Sequence, residues 1–265
     1  MRRLPRRGWQ TGAGTAGDRR QYGRLAGAVR TDVCGRVAGV TERADYSDPR
    51  AEMLDFLPPR ARTVLDVGCS TGAFGHSLRA LGRGLTTWGL EPDEDSARAA
   101  ATGYDHVLAS GLHGAVGDLP TGTFDAVYFN DVLEHLSEPA GALEAVAPLL
   151  SPTGVVIASI PNVRHLSVLR PLVLKGDWTY TDQGVLDRTH VRFFTRSTAE
   201  RLFLDLDWTI GSVTGINRRA RFESGDTPRI RRLSRLTRGR SDDLFYLQYV
   251  FVASPRARPG DGPIA

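Results

Sequence analysis

Apolar and polar positions keep a repeating rhythm between residues 45 and 160. Short apolar runs at 63–67 (TVLDV), 86–91 (TTWGLE), 106–110 (HVLAS), 124–130 (FDAVYFN) and 154–160 (GVVIASI) are bounded by turn residues and read as strands. Helix-like stretches lie between them: GAFGHSLRALG, then DEDSARAAATG with an acidic first turn and Gly103 closing it, then EPAGALEAVAPLL before the turn SPTG. Ahead of the first strand, SDPRAEMLDFL predicts a helix with Asp48 as N-cap and Pro49 at its first position. Strands alternating with helices predict right-handed βαβ units, hence a parallel sheet with helices on both faces.

The rhythm breaks after residue 160. The next firm helix opens at Ser197, where Glu200 three positions on makes a capping box, and strand-like runs follow at 208–215 and 245–254. Inside the gap, VRHLSVLRPLVL predicts a short apolar helix. DQGVLDRTHVRFFT (182–195) follows neither period. Its charged groups crowd against aromatics, as in the wall of a polar pocket or the fastening of a long loop.

In an open parallel sheet, ligands bind beyond the carboxyl ends of the strands, near the point where strand order reverses. The first strand runs into LDVGCSTGAFG. A dinucleotide fingerprint needs a glycine where this chain has Ser70, so that the backbone can approach a pyrophosphate. Asp66 would face the ligand from the strand's end. A carboxylate there repels a pyrophosphate and suits a ligand bearing an ammonium and a sulfonium, S-adenosylmethionine. The second strand ends in Glu91, positioned to accept from both ribose hydroxyls in charge-assisted bonds of roughly 1.5–3 kcal/mol each. An NAD enzyme would use the same carboxylate, so the discrimination rests on Asp66 with Ser70.

VLDVGCSTG, GLEPD and FDAVYFNDVLEHL together resemble the motifs of class I S-adenosylmethionine-dependent methyltransferases, over about residues 45 to 255. The resemblance implies an α/β fold, a Rossmann-like doubly wound sheet of seven strands, mostly parallel with the last strand antiparallel. It implies that Asp66, Gly68, Cys69, Ser70 and Gly72 wrap the methionine part of the cofactor. Glu91, with Pro92 beside it, would serve the ribose, and Asn130 would lie beside the sulfonium. Serine at position 70 departs from the family's usual glycine. The acid that the family commonly places after the third strand is also missing: the chain reads ASGLHG there. Leu112 backbone contacts are expected to serve the adenine, and Asp118, lying several residues late, stays open.

The 161–196 segment would sit above the transferable methyl, and so long an insertion is uncommon unless it is a lid or binding loop. Its second half resembles the GxxxYxDxGxLDRTHxRFFT segment of a subset of these methyltransferases, many of them near polysaccharide or small-molecule biosynthesis. The sulfonium is already an activated donor, so the protein need only align a nucleophile and remove its proton. Alignment is worth up to roughly 7–11 kcal/mol and a general base about 10²–10⁴-fold. His190, oriented or charged through Asp187, is the first candidate base, and His135 competes with it. The structural alternative makes Asp187, Arg188 and His190 a buried network that holds the loop, with Phe193 and Phe194 in the core. Tyr46 and Arg50 could close the pocket from the other side. His76, His106, His113 and His165 show no metal spacing, and no metal is implied.

Composition changes this picture little. The 265 residues carry a formal charge of +4, with Lys175 the single lysine and arginine supplying the other cations. Two cysteines, Cys34 and Cys69, stand in unlike contexts and make no disulfide framework, so a reduced, cytoplasmic protein is expected. No apolar run approaches the roughly 20 residues of a membrane span, and the basic N-terminus lacks the apolar segment of a secretory signal. Residues 1–40, rich in arginine and glycine, and 256–265 read as disordered tails around a 41–255 methyltransferase domain. The expected function is methyl transfer to an oxygen, or less favourably a nitrogen, of a small-molecule or saccharide acceptor, in making a natural product or surface glycan. Two rivals remain. The arginine-rich 218–240 stretch would suit an RNA methyltransferase, although no RNA module and few aromatics accompany it. A non-catalytic cofactor-binding subunit of another enzyme is the other. A homodimer is compatible with the sequence; a membrane partner is not expected.

Overall fold

The structure, a computed structural model, describes residues 48–218 and 242–256. The expected tail 1–40, Tyr46, nearly all of the 218–240 arginine stretch and the terminal residues beyond Arg256 lie outside the described residues.

Seven strands form one sheet: β1 (Thr63–Val67), β2 (Thr86–Leu90), β3 (His106–Leu108), β4 (Phe124–Asn130), β5 (Leu150–Pro161), β6 (Trp208–Arg218) and β7 (Tyr246–Pro255). Their order is β3-β2-β1-β4-β5-β7-β6. β1 to β5 pair in parallel, while β7 lies antiparallel between β5 and β6. The expected mostly parallel sheet with an antiparallel last strand is therefore observed. Six α-helices accompany it among the described residues: α1 (Ala73–Ala80), α2 (Glu94–Ala100), α3 (Leu112–Ala115), α4 (Pro139–Val146), α5 (Leu166–Lys175) and α6 (Arg196–Leu204).

β4 shows why these runs are strands. Successive side chains point to opposite faces, and both faces are covered. Val127 and Phe129 join one core with Leu143 of α4 and Phe203 of α6, whereas Ala126 and Tyr128 join a second core with Phe74 and Leu78 of α1. Aromatic pairs bind both layers: Phe203 stacks on Phe251 at 5.5 Å between centroids, and Phe74 meets Tyr128 edge-on at 4.8 Å. A doubly covered strand reads as a continuous apolar run rather than an alternating one.

Three element ends differ from expectation. The segment before β1 is a 3₁₀ helix, Ala51–Phe56, that starts after Arg50 in a left-handed conformation. Asp48 does not cap it, because its carboxylate accepts from the Arg50 N–H two residues on at 3.0 Å and closes a local turn instead. α6 starts earlier than Ser197: Thr195 is the N-cap and exchanges hydrogen bonds with Thr198, so the capping box uses a threonine where the sequence pointed to Glu200. Glu200 pairs on the surface with Arg196 at 2.8 Å. Gly103 does not close α2, which caps at Ala101.

Candidate active site

Strand order reverses between β1 and β4, opening the crevice where doubly wound folds take their ligands. β1 leaves the sheet through a turn with Gly68 at φ 77°, Ser70 at φ 47° and Gly72 at φ 90°. At Gly72 a side chain is excluded twice over: the left-handed backbone disfavours it, and a Cβ would stand 2.8 Å from the Cα of Ala100 in α2. Ser70 takes the left-handed region without being glycine, so the departure from the family pattern is accommodated in the backbone. The N–H groups of Gly68 and Cys69 both donate to the Leu90 carbonyl, at 2.8 and 2.9 Å, and tie the turn to β2. Cys69 turns its side chain away from the crevice side of the turn's backbone and into the core. Its thiol is buried in the core and burial pushes its pKa up, so only its main chain lies on the turn.

Asp66 is 2% exposed. Its Oδ2 accepts from the Tyr104 hydroxyl at 2.5 Å and its Oδ1 from the Asn130 side-chain amide at 3.3 Å. Burial pushes its carboxyl from 3.8 up to about 7, against the opposing pull of those two hydrogen bonds and of Arg50. A carboxylate poised there gains most from a cation. Asn130 adds a buried Oδ1 that has no hydrogen-bond partner. The chemistry of S-adenosylmethionine, an ammonium and a sulfonium, fits a buried carboxylate beside a free carboxamide oxygen. Glu91 is held by two backbone donors, Ser70 N–H at 3.0 Å on one oxygen and Asp93 N–H at 2.9 Å on the other. The same hydrogen bonds link the glycine turn to the N-cap of α2. Pro92 is exposed at the start of that loop. Leu112 buries its side chain in the core and opens α3, where helix N–H groups lack intrahelical partners; Asp118 is exposed in the 3₁₀ turn beyond.

The 182–195 segment packs against the turn that follows β4. Leu133–His135 form a single 3₁₀ turn after β4. The Glu134 carbonyl accepts from both Val191 and Arg192 N–H at 3.0 Å, stitching the DQGVLDRTHVRFFT segment to that turn. The stitch sets the His190 ring edge-on to His135 with centroids 4.7 Å apart. Each ring directs Nδ1 at a carbonyl, His135 at Thr189 (3.3 Å) and His190 at Val185 (3.1 Å). A carbonyl only accepts, so Nδ1 carries the proton and each Nε2 keeps a lone pair. Burial lowers the pKa of both rings, and at His135 the neighbouring His190 lowers it further. Glu134 is 1% exposed, and among the described residues neither carboxylate oxygen has a hydrogen-bond partner. Its Oε1 lies 3.9 Å from His190 Nε2. Burial, with the charge of Asp131 added, holds its carboxyl well above the ordinary range.

Asp187 acts on His190 through its charge and makes its hydrogen bonds within its own turn. Its Oδ1 accepts from the N–H and hydroxyl of Thr189, at 2.8 and 2.6 Å, in the tight turn closed by His190 N–H on its own carbonyl. The carboxylate is folded back over that turn, and the Val185 carbonyl orients the His190 ring in its place. The segment divides its labour. Phe194 is in the core, Phe193 stands among Trp178 (5.3 Å) and His190 (6.2 Å), and Arg188 pairs with Asp182 at the surface. His165, without chemistry in the sequence, is the N-cap of α5 through its side chain.

Sequence reading named Arg50 and missed its partner Asp131, with Ser159 and Gln248 around it. Asp131, at φ 55°, is gripped by the Arg50 guanidinium, by the Ser159 hydroxyl at 2.8 Å and by Gln248 at 2.8 Å to both oxygens. Arg50 thus locks the 3₁₀ segment to the ends of β4, β5 and β7. Tyr104 was missed as well, since nothing in GYD marks it as the partner of Asp66.

Sheet order and the glycine turn after β1 are those of a Rossmann-like methyltransferase fold. Residues 41–213 match the model of the methyltransferase-domain family, and the chain belongs to that family. Ubiquinone biosynthesis O-methyltransferase of Psychrobacter cryohalolentis is 26% identical over 168 residues, 59% of this chain and 62% of that protein. The enzyme of the same name from Xanthomonas axonopodis pv. citri is 34% identical over 114 residues, 40% of this chain and 46% of its own. The chain thus spans about half to three-fifths of these relatives. Among solved structures, a SAM-dependent methyltransferase from Archaeoglobus fulgidus superposes with a TM-score of 0.58 at 18% identity, over 77% of this chain and 90% of that one. The plantazolicin methyltransferase BpumL in complex with SAH gives 0.53 at 15% identity, over 79% and 84%. These two likenesses speak for the fold.

Proposed function

We propose that the chain methylates an oxygen of a small hydroxylated acceptor, a saccharide or natural-product intermediate, in a crevice between the glycine turn and the 161–196 lid. The observation that carries this reading is the pair of imidazoles beside Glu134, the His190 ring buried and His135 half-buried, whose Nδ1–H groups are taken by carbonyls and whose Nε2 lone pairs are left free. S-adenosylmethionine supplies a methyl already activated on sulfonium. Asp66 answers its ammonium, Glu91 its ribose, and the Asn130 carboxamide the sulfonium side. The Glu134–His135–His190 cluster receives the acceptor hydroxyl and draws off its proton. The oxygen then attacks the methyl carbon as the sulfur–carbon bond breaks, leaving S-adenosylhomocysteine. An amine acceptor is the weaker choice, because the O-methyltransferase names of the relatives favour oxygen. No helix among the described residues is long and apolar enough to cross a membrane.

Calorimetric titration with S-adenosylhomocysteine and then with NAD tests the donor half: the first is expected to bind and the second not. Labelled S-adenosylmethionine offered with hydroxylated saccharides and phenols, against amines, tests the acceptor half. Label appearing only on amines overturns the oxygen assignment.

A further inference from the structure

Glu134 poses a problem the methyl-transfer reading leaves open. A carboxylate that is 1% exposed, with both oxygens lacking a hydrogen-bond partner, is a costly thing to bury in a folded protein. His135 and His190, its immediate neighbours, show the arrangement metal-binding histidines adopt: one nitrogen donates to a backbone carbonyl, fixing the ring, and the other points its lone pair inward. One ligand atom from each of the three residues lies within 4.8 Å of the others.

We infer that Glu134, His135 and His190 bind a divalent transition-metal ion. The inference rests on the methyl-transfer reading for its purpose, though not for its existence. Two neutral imidazoles and a carboxylate suit zinc, manganese, iron or cobalt rather than magnesium or calcium, which prefer oxygen-rich shells. Metal–ligand bonds of about 2.0–2.2 Å would draw the three atoms closer together than they stand. The two rings belong to separate segments, so rotamer adjustment of a buried carboxylate and a lid histidine is enough. The ligands come from the 3₁₀ turn after β4 and from the lid, which makes the ion a clasp between them. It also leaves coordination positions open toward the crevice, and an acceptor with two neighbouring oxygens would fill them best. With the ion in place both Nε2 atoms are ligands rather than bases. The coordinated hydroxyl loses its proton to water at a lowered pKa. Its oxygen then takes the methyl, and the electrons of the sulfur–carbon bond stay on sulfur.

No spacing rule would have found this set, because adjacent Glu134 and His135 are joined by a histidine from a distant loop. The full chain, stripped with a chelator, is titrated with Co²⁺ alone and read by visible absorption. One Co²⁺ per chain is expected, with ligand-field bands, and Glu134→Gln or His190→Asn should each weaken binding by at least roughly 10–100-fold, the loss typical even of an outer partner. In wild-type protein, bound Co²⁺ should shift two imidazole N–H proton signals, those donated to Thr189 and Val185, far outside their diamagnetic range. That readout needs no variant to fold. Absent bands, unshifted ring signals, or equal binding by both variants each overturn the assignment. S-adenosylhomocysteine titrated into the same stripped protein separates the two readings: its binding without cobalt binding sinks the metal alone, and cobalt binding without it sinks the donor site alone.

Discussion

Two carboxylates lie buried at the same edge of one sheet, and their surroundings differ. Asp66, at the end of β1, has a partner on each oxygen, Tyr104 and Asn130. Glu134, in the turn after β4, has none. The proposed donor side is therefore largely assembled by the fold itself: strand, glycine turn and α2 fix Asp66 and Glu91 through backbone and core contacts. The proposed acceptor side holds an unmet demand, a carboxylate and two imidazole nitrogens within 4.8 Å of one another. Sites pre-organised by their own hydrogen bonds bind a constant ligand; sites left unsatisfied mark where something variable or exchangeable is received. A common donor and a particular acceptor would divide an enzyme in this way.

The comparison breaks most sharply at Asp66. Asp66→Ala removes the charge that answers the ligand's ammonium, and unpairing a buried charge costs about 3–5 kcal/mol, on the order of 10²–10⁴-fold in affinity for S-adenosylhomocysteine. Calorimetry reads this directly, and an affinity within threefold of wild type would show that Asp66 is not in the donor site. Asp66→Asn should lose affinity comparably while gaining stability. The folded pKa of about 7 stands above the ordinary 3.8, so what this group contributes to stability is fully present at low pH and is lost as pH rises through about 7. The rise in melting temperature from Asp66→Asn should thus be greater at pH 8 than at pH 5.

On the acceptor side, His190→Ala should lower turnover by about 10²-fold or more while leaving S-adenosylhomocysteine affinity nearly unchanged. Steady-state kinetics beside calorimetry makes the test. Equal loss of both would mean that the lid histidine serves the fold and not the acceptor.

A smaller effect sharpens the donor half. Ligand binding needs Asp66 ionised, so affinity should be flat above about pH 7 and fall as pH drops below it, by up to about tenfold per unit. Tyr104→Phe removes a hydrogen bond that favours the carboxylate, so the midpoint should move to higher pH. A pH-independent affinity between 6 and 8 would place the ammonium elsewhere.

Legibility in the sequence follows the same division. β4 could be read from FDAVYFN because burial on both faces leaves an unbroken apolar run, and the turn from Asp66 to Gly72 could be read because it is contiguous. The lid could be located but not resolved. Asp187 and His190 are close in sequence, which suggested a catalytic pair. A tight turn instead folds the carboxylate onto Thr189, and local backbone donors outcompete a side chain three residues away. The same local competition moved the capping box to Thr195 and Thr198 and took Asp48 away from its helix. Tyr104, Asp131 with Arg50, and the meeting of Glu134 with His190 are tertiary facts with no local signature.

The smallest predicted effect tests whether the lid's own fastening is separable from its chemistry. Asp187→Ala deletes two hydrogen bonds to a backbone N–H and a hydroxyl within one turn, a loss of about 1–2 kcal/mol, comparable to losing a helix cap. For a chain of this size that corresponds to a fall in melting temperature of about 2–8 °C. Asp187→Asn keeps an acceptor oxygen in the same place and should recover most of it. If Asp187 were the partner of His190, the asparagine variant would instead lose turnover as heavily as alanine while melting like wild type. A turn fastener and a catalytic carboxylate thus give opposite rankings of the same two variants, read by thermal melts and turnover on one pair of proteins.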